Sequence, residues 1–138
     1  MTIFLDANIL FSASFRTSNL RAFVDVLETV ASLVTSQHAA EEARRNVARK
    51  KADNTPALES LLVNLEVSPV APFALDVEIA EKDIPILCGA ILLNADYLLT
   101  GDKKDFGAFY GRKIKGVKIV SPAILAAELT AKGYIDSK

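Results

Sequence analysis

Four acidic residues, spread over most of the 138-residue chain, each fall where a strand or helix is expected to begin or end. Asp6 follows the apolar run Ile3-Phe4-Leu5, and Glu42 sits in the helix-forming stretch Glu41-Glu42-Ala43-Arg44-Arg45-Asn46. Asp83 precedes Ile84-Pro85-Ile86-Leu87, and Asp102 follows Tyr97-Leu98-Leu99-Thr100-Gly101. Carboxylates beside hydrophobic runs cost desolvation unless a cation lies among them. A divalent ion supplies that charge, and Mg²⁺ or Mn²⁺ is bound by such oxygen donors. One or two ions would orient a phosphodiester, lower the pKa of a bound water and stabilise the leaving oxygen. The pattern predicts a metal-dependent phosphodiesterase in which Asp6, Glu42, Asp83 and Asp102 carry the chemistry. No serine, cysteine or histidine nucleophile is required.

Each acid alone has a plainer explanation. Asp83 is a candidate N-cap, since Pro85 suits a first helical turn. Asp6 and Asp102 are candidate caps for the short helices that follow them. Glu41 and Glu42 are candidate first-turn acids favoured by the helix dipole. One metal site replaces these unrelated explanations with a single cause. The lone histidine, His38, reads as a surface or helix-start residue.

The elements that must position these acids alternate. Ile3-Phe4-Leu5, Leu33-Val34-Thr35, Tyr97-Leu98-Leu99 and Val117-Lys118-Ile119-Val120 read as strands, and Val67 to Val70 as a strand or extended link. Between them lie helices capped by Ser18, Ser36, Thr55 (with Pro56 next) and Ser121 (with Pro122 next). A brief helix is expected over 7–14. Ile84 to Leu93 is apolar nearly all round, so it should be central and buried. Alternating strands and helices predict an α/β fold: a three-layer α/β/α sandwich around a mostly parallel sheet of four to five strands. In such sheets the carboxyl ends of the strands host the site, and Asp6 and Asp102 both follow a strand there.

The bulk composition sets limits. A 51% hydrophobic fraction is enough for one cored domain over 1–138, with no composition shift to mark a boundary. The single cysteine, Cys88, reads as a buried thiol and fits a reducing cytoplasm. Asp6 interrupts the first apolar run at once, unlike a signal peptide, and no segment is long enough for a membrane span. A net charge of −1 argues against binding nucleic acid by bulk attraction. The distribution of charge is more telling. Of 16 Lys and Arg, five lie over 44–51 and six over 103–118, each cluster following a candidate metal carboxylate. They read either as solvated faces or as phosphate contacts, with Arg44, Arg45, Lys103 and Lys104 nearest the acids. Phe106, Phe109 and Tyr110 read either as a local apolar cluster or as stacking partners for unpaired bases.

The stretches Phe4-Leu5-Asp6-Ala7-Asn8-Ile9-Leu10, Glu41-Glu42-Ala43-Arg44-Arg45-Asn46, Lys82-Asp83-Ile84-Pro85-Ile86-Leu87 and Asp96 to Phe106 (DYLLTGDKKDF) resemble PIN-domain nucleases, including the VapC-like toxins of toxin–antitoxin pairs. The resemblance implies that Asp6, Glu42, Asp83 and Asp102 are the acidic quartet binding Mg²⁺ or Mn²⁺. It implies that Asp105 is a further acid near the metals and that Asn8 and Thr100 support the site. Adjacent helical residues lie about 100° apart, so Glu41 and Glu42 cannot both face the metals; the resemblance selects Glu42. It further implies cleavage of single-stranded RNA, a homodimer and, for toxin members, an antitoxin partner. Two alternatives keep the fold: a nuclease acting on DNA or structured RNA, and a metal- and RNA-binding module that does not cut.

Overall fold

The two central strands are apolar on both faces because both are covered. In a computed structural model that describes residues 1–136, β1 (Thr2–Leu5) and β4 (Tyr97–Leu99) pair in parallel, with Ile3, Phe4, Leu5, Leu98 and Leu99 fully buried. Such continuous apolar runs mark strands with helices on either side. Six strands form one sheet in the order β3-β2-β1-β4-β6-β5, adding β2 (Ser32–Ser36), β3 (Glu66–Ser68), β5 (Lys113–Ile114) and β6 (Val117–Val120). Every pairing is parallel except β5 with β6. Helices flank the sheet as a three-layer α/β/α sandwich.

The helices are α1 (Ala7–Ala13), α2 (Asn19–Val30), α3 (Gln37–Lys50), α4 (Thr55–Val63), α5 (Ile84–Leu92), α6 (Lys103–Phe106) and α7 (Pro122–Ala131). The predicted serine caps form. The Ser18, Ser36 and Ser121 hydroxyls accept from the amides of Arg21, Ala39 and Ile124 at 3.0, 3.1 and 3.2 Å. Each such cap stabilises its helix by about 1 kcal/mol. Helix α5 is buried along Ile86-Leu87-Cys88-Gly89-Ala90, and Gly89 lets it lie flush on the sheet. A Cβ there would meet the Phe4 ring at 3.1 Å and the Ser36 Cβ at 3.5 Å.

Three local expectations need correction. The sheet has six strands rather than four to five, because two-residue β5 is too short to show a period. It is held by a tight hairpin whose two turn residues, Lys115 and Gly116, have φ of 49° and 87°, the left-handed pair that two-residue hairpins favour. Thr55 is the first residue of α4 rather than its cap, and Asn54 ahead of it makes no side-chain cap bond. Helix α3 begins at Gln37, so Glu41 and Glu42 lie in its second turn, beyond the dipole's main reach.

The strand order sets the site. From β1 the chain passes outward to β2 and β3, then returns across β1 to β4 on its other side. The crevice at the carboxyl ends of β1 and β4 is thus a topological switch point, where open α/β sheets bind ligands.

Candidate metal centre

Asp6 ends β1 at this crevice and is 4% exposed. Its Oδ1 accepts from the Ala7 amide at 2.6 Å, capping α1, and its Oδ2 accepts from the Thr100 hydroxyl at 2.8 Å. Thr100 ends β4 and ties the site together: its Oγ1 accepts from the Asp102 amide at 3.1 Å and from Asn8 Nδ2 at 3.3 Å. Asn8 also donates to Asp6 Oδ2 at 3.3 Å and accepts from the Gly101 amide at 2.8 Å. The two strand ends are therefore joined by a polar network that fixes the Asp6 carboxylate. Even so, burial pushes the Asp6 carboxyl up to about 6 against its Thr100 and Ala7 hydrogen bonds, with the charges of Glu42 and Asp102 adding to the rise.

Asp83, Asp102 and Asp105 form the other half. One carboxylate oxygen from each lies within 4.8 Å of the other two. Asp102 caps α6 by accepting from the Asp105 amide at 3.0 Å. Asp83 makes no cap bond to α5 despite Pro85 in the first turn, which removes the plain explanation for it. It is 7% exposed, and its Oδ2 has no hydrogen-bond partner among the described residues. Burial, then the neighbouring Asp105 and Asp102, push its carboxyl up to about 7. Asp105 moves the other way, held below the usual carboxylate range first by its bond to Lys82.

The charge of Glu42 acts on Asp6, whereas that of Glu41 acts on Arg44. So α3 turns Glu42 toward the acids and Glu41 away, and His38 sits one turn before Glu42 with Nε2 3.9 Å from its Oε1. Asp83, Asp102 and Asp105 thus form one group of possible ligand oxygens, while Asp6 and Glu42 lie outside that group, Asp6 being near enough to Asp102 and Glu42 to feel their charge. This donor set fits a hard divalent cation: several carboxylates, few other donors and one buried oxygen with nothing to bind.

The basic residues divide. Arg44 is engaged with Glu59 through Nε–Oε2 and Nη2–Oε1 contacts of 2.8 and 3.0 Å. Arg45, Lys103 and Lys104 are exposed and form no ion pair among the described residues. Phe106 is fully buried in the core, and the Tyr110 hydroxyl donates to the Thr100 carbonyl at 3.1 Å. Phe106 thus belongs to the core and Tyr110 braces the Thr100 backbone. Phe109 lies under the Arg112 guanidinium, 5.3 Å from ring centroid to Cζ. One neighbour of the acids, Lys82, was given no role by the sequence reading. Lys82 was visible only as a cation next to Asp83.

Comparison with known proteins bears on this geometry. Residues 3–111 match the family model described as PIN domain. No curated protein matches the chain. Among solved structures, a chain of VapBC2 from Rickettsia felis bound to a DNA fragment from their promoter is 22% identical, covering 88% of this chain and 98% of that one at a TM-score of 0.66. A chain of VapBC-1 from nontypeable Haemophilus influenzae is 18% identical (89% and 99% covered, TM-score 0.58). A chain of FitAB bound to a DNA fragment is 21% identical (87% and 94%, TM-score 0.59). At these identities the likeness is one of fold, and it runs through nearly the whole of each chain. With the family match spanning 3–111 and the acids at the switch point, the chain belongs to the PIN domain family of nucleases.

Proposed function

We propose that this protein is a divalent-metal-dependent endoribonuclease that cleaves single-stranded RNA, and the toxin half of a toxin–antitoxin pair. The observation that carries the nuclease reading is the buried Asp83 carboxylate, one oxygen of which has no hydrogen-bond partner among the described residues, grouped with Asp102 and Asp105 at the switch point. Likeness in fold to chains of VapBC and FitAB complexes supports the antitoxin partner.

Asp6, Glu42, Asp83, Asp102 and Asp105 would hold Mg²⁺ or Mn²⁺. When bound, the ion supplies Lewis acidity, making a water a competent nucleophile at neutral pH and offsetting charge that develops on the phosphate. The protein's own part is positional. Asn8 and Thr100 hold Asp6 and the Gly101-Asp102 backbone in one network, so the carboxylates need little rearrangement to receive an ion. Burial of Asp6 and Asp83 keeps water from screening those two carboxylates. Arg45, Lys103 and Lys104 are free to meet backbone phosphates, whereas Arg44 reaches substrate only by leaving Glu59. A homodimer would present two such clefts.

The test is cleavage of matched single-stranded RNA and DNA by purified protein in Mg²⁺, Mn²⁺ or chelator, beside Asp6→Ala. Metal-dependent cuts in RNA, lost in the variant, are expected. Cuts in DNA alone would transfer the activity to the other substrate. RNA retained in Mg²⁺ without product would make the protein a binding module. Co-purification with the product of an adjacent gene tests the antitoxin.

A further inference from the structure

One cation already sits at the acid cluster. Lys82 Nζ lies 2.8 Å from Asp105 Oδ2. Among the described residues it is the only lysine or arginine within 4.0 Å of any of the five acids. Its ammonium is stabilised chiefly by Asp105, with smaller contributions from Asp83 and Asp102. The two side chains differ in surroundings: that of Asp105 is 13% exposed, while that of Lys82 is 70% exposed. The cation thus reaches in from solvent on a flexible stem and is not packed in place. An ammonium on a four-carbon stem can leave without disturbing the core.

The position of Lys82 is fixed by its neighbours. It occupies the 3-10 turn Glu81–Asp83 immediately before α5, so the same turn that presents the Asp83 carboxylate presents the lysine. Ligand and competing cation are one residue apart and cannot be separated by movement of a domain or loop elsewhere.

We propose that Lys82 is a displaceable counter-ion, which occupies the Asp105 side of the cluster in the metal-free protein and competes with the divalent ion for it. This rests on the metal reading above. Lys82 lowers the repulsion among Asp83, Asp102 and Asp105 while the site awaits metal, and it raises the metal concentration needed for loading. A divalent ion interacts twice as strongly as an ammonium at equal distance, so it displaces Lys82 once sufficiently concentrated.

The experiment is calorimetric titration of Mn²⁺ into the metal-stripped full chain, as wild type, Lys82→Met and Lys82→Arg. Lys82→Met is expected to bind Mn²⁺ roughly three- to tenfold more tightly, the scale of one unit charge removed from near a divalent ion in a wet site. Lys82→Arg should stay near wild type, since it keeps the charge. Metal-free Lys82→Met should melt below wild type and gain more from added Mn²⁺. In an Asp105→Asn background the gain from Lys82→Met should disappear. Equal or weaker Mn²⁺ binding by Lys82→Met, with wild type binding normally, overturns the proposal and leaves the metal reading standing. Persistence of the gain in the Asp105→Asn background overturns the anchoring through Asp105. No Mn²⁺ binding by any of the proteins overturns the metal reading, and the proposal with it.

Discussion

Strand β4 has a group of charged residues at each end, and the two groups are built on opposite rules. At its amino end, beside Tyr97, the Glu128 carboxylate of α7 accepts from the Tyr97 hydroxyl and pairs with Lys118, with Lys132 Nζ 3.5 Å away. Lys118 first, then Tyr97, hold the Glu128 carboxyl down at about 2. At its carboxyl end, Asp6 and Asp83 stand at about 6 and about 7, raised by burial that their partners do not offset. The first group is complete without a ligand. The second is short of positive charge, and among the described residues one exposed lysine is the only Lys or Arg paired with it. A strand only three residues long thus separates a carboxylate whose neighbours satisfy it from carboxylates whose neighbours do not.

The largest effect that tests this contrast is on catalysis. Asp102→Ala should lower metal-dependent RNA cleavage by roughly 100-fold or more, since a ligand and the α6 cap go together. Glu128→Gln should leave cleavage within about twofold of wild type. A loss of cleavage in Glu128→Gln, in a protein still folded by circular dichroism, would erase the distinction.

The pH dependence of stability should have opposite signs at the two ends. Asp6 binds a proton more readily in the folded than in the unfolded chain, so its stabilising protonation is lost as pH rises from about 4 through 7. The loss is roughly 3 kcal/mol for Asp6 alone. Denaturant unfolding of metal-free protein should show this decline, and Asp6→Asn should flatten it. Saturating Mn²⁺ should cancel it, because bound metal favours the ionised acids. Glu128 behaves conversely: its contribution is present above about pH 4.5 and fades as pH falls toward 2.

Smaller effects separate the ends further. Glu128→Gln should cost about 1–2 kcal/mol, a charged hydrogen-bond network discounted for its partial exposure. Thr100→Val removes the hydroxyl shared by Asp6, Asn8 and the Asp102 amide. It should reduce cleavage about tenfold with little change in melting temperature, the mark of a residue that positions others.

What could be read in advance follows from how local each signal is. The apolar runs of β1 and β4, the serine caps of α2, α3 and α7, and the places of Asp6 and Asp102 just after a strand are written in neighbouring residues, and each appears in the structure at the expected place, whereas Glu42 lies inside α3 rather than at its end. The two-residue β5 carries no period, and its turn depends on Lys115 taking a left-handed backbone. The fourfold contact of Tyr97, Lys118, Glu128 and Lys132 joins β4, β6 and α7, so no window of sequence contains it. Asp83 is the instructive case. A residue before a proline-containing first turn has every local reason to cap the helix, yet it does not. Only its burial, set by distant elements, reveals what it lacks.

Gly89 extends the reach of that observation. With no Cβ between them, α5 rests on the Phe4 ring of β1, two residues before Asp6, while Asp83 leads into the start of the same helix. The height of α5 over the end of β1 is therefore set by a backbone seated on an aromatic ring, a contact far stiffer than a loop. Gly89→Ala would raise the helix by one methyl group and carry Asp83 with it, so a residue with no side chain fixes the seat of an acid six positions away.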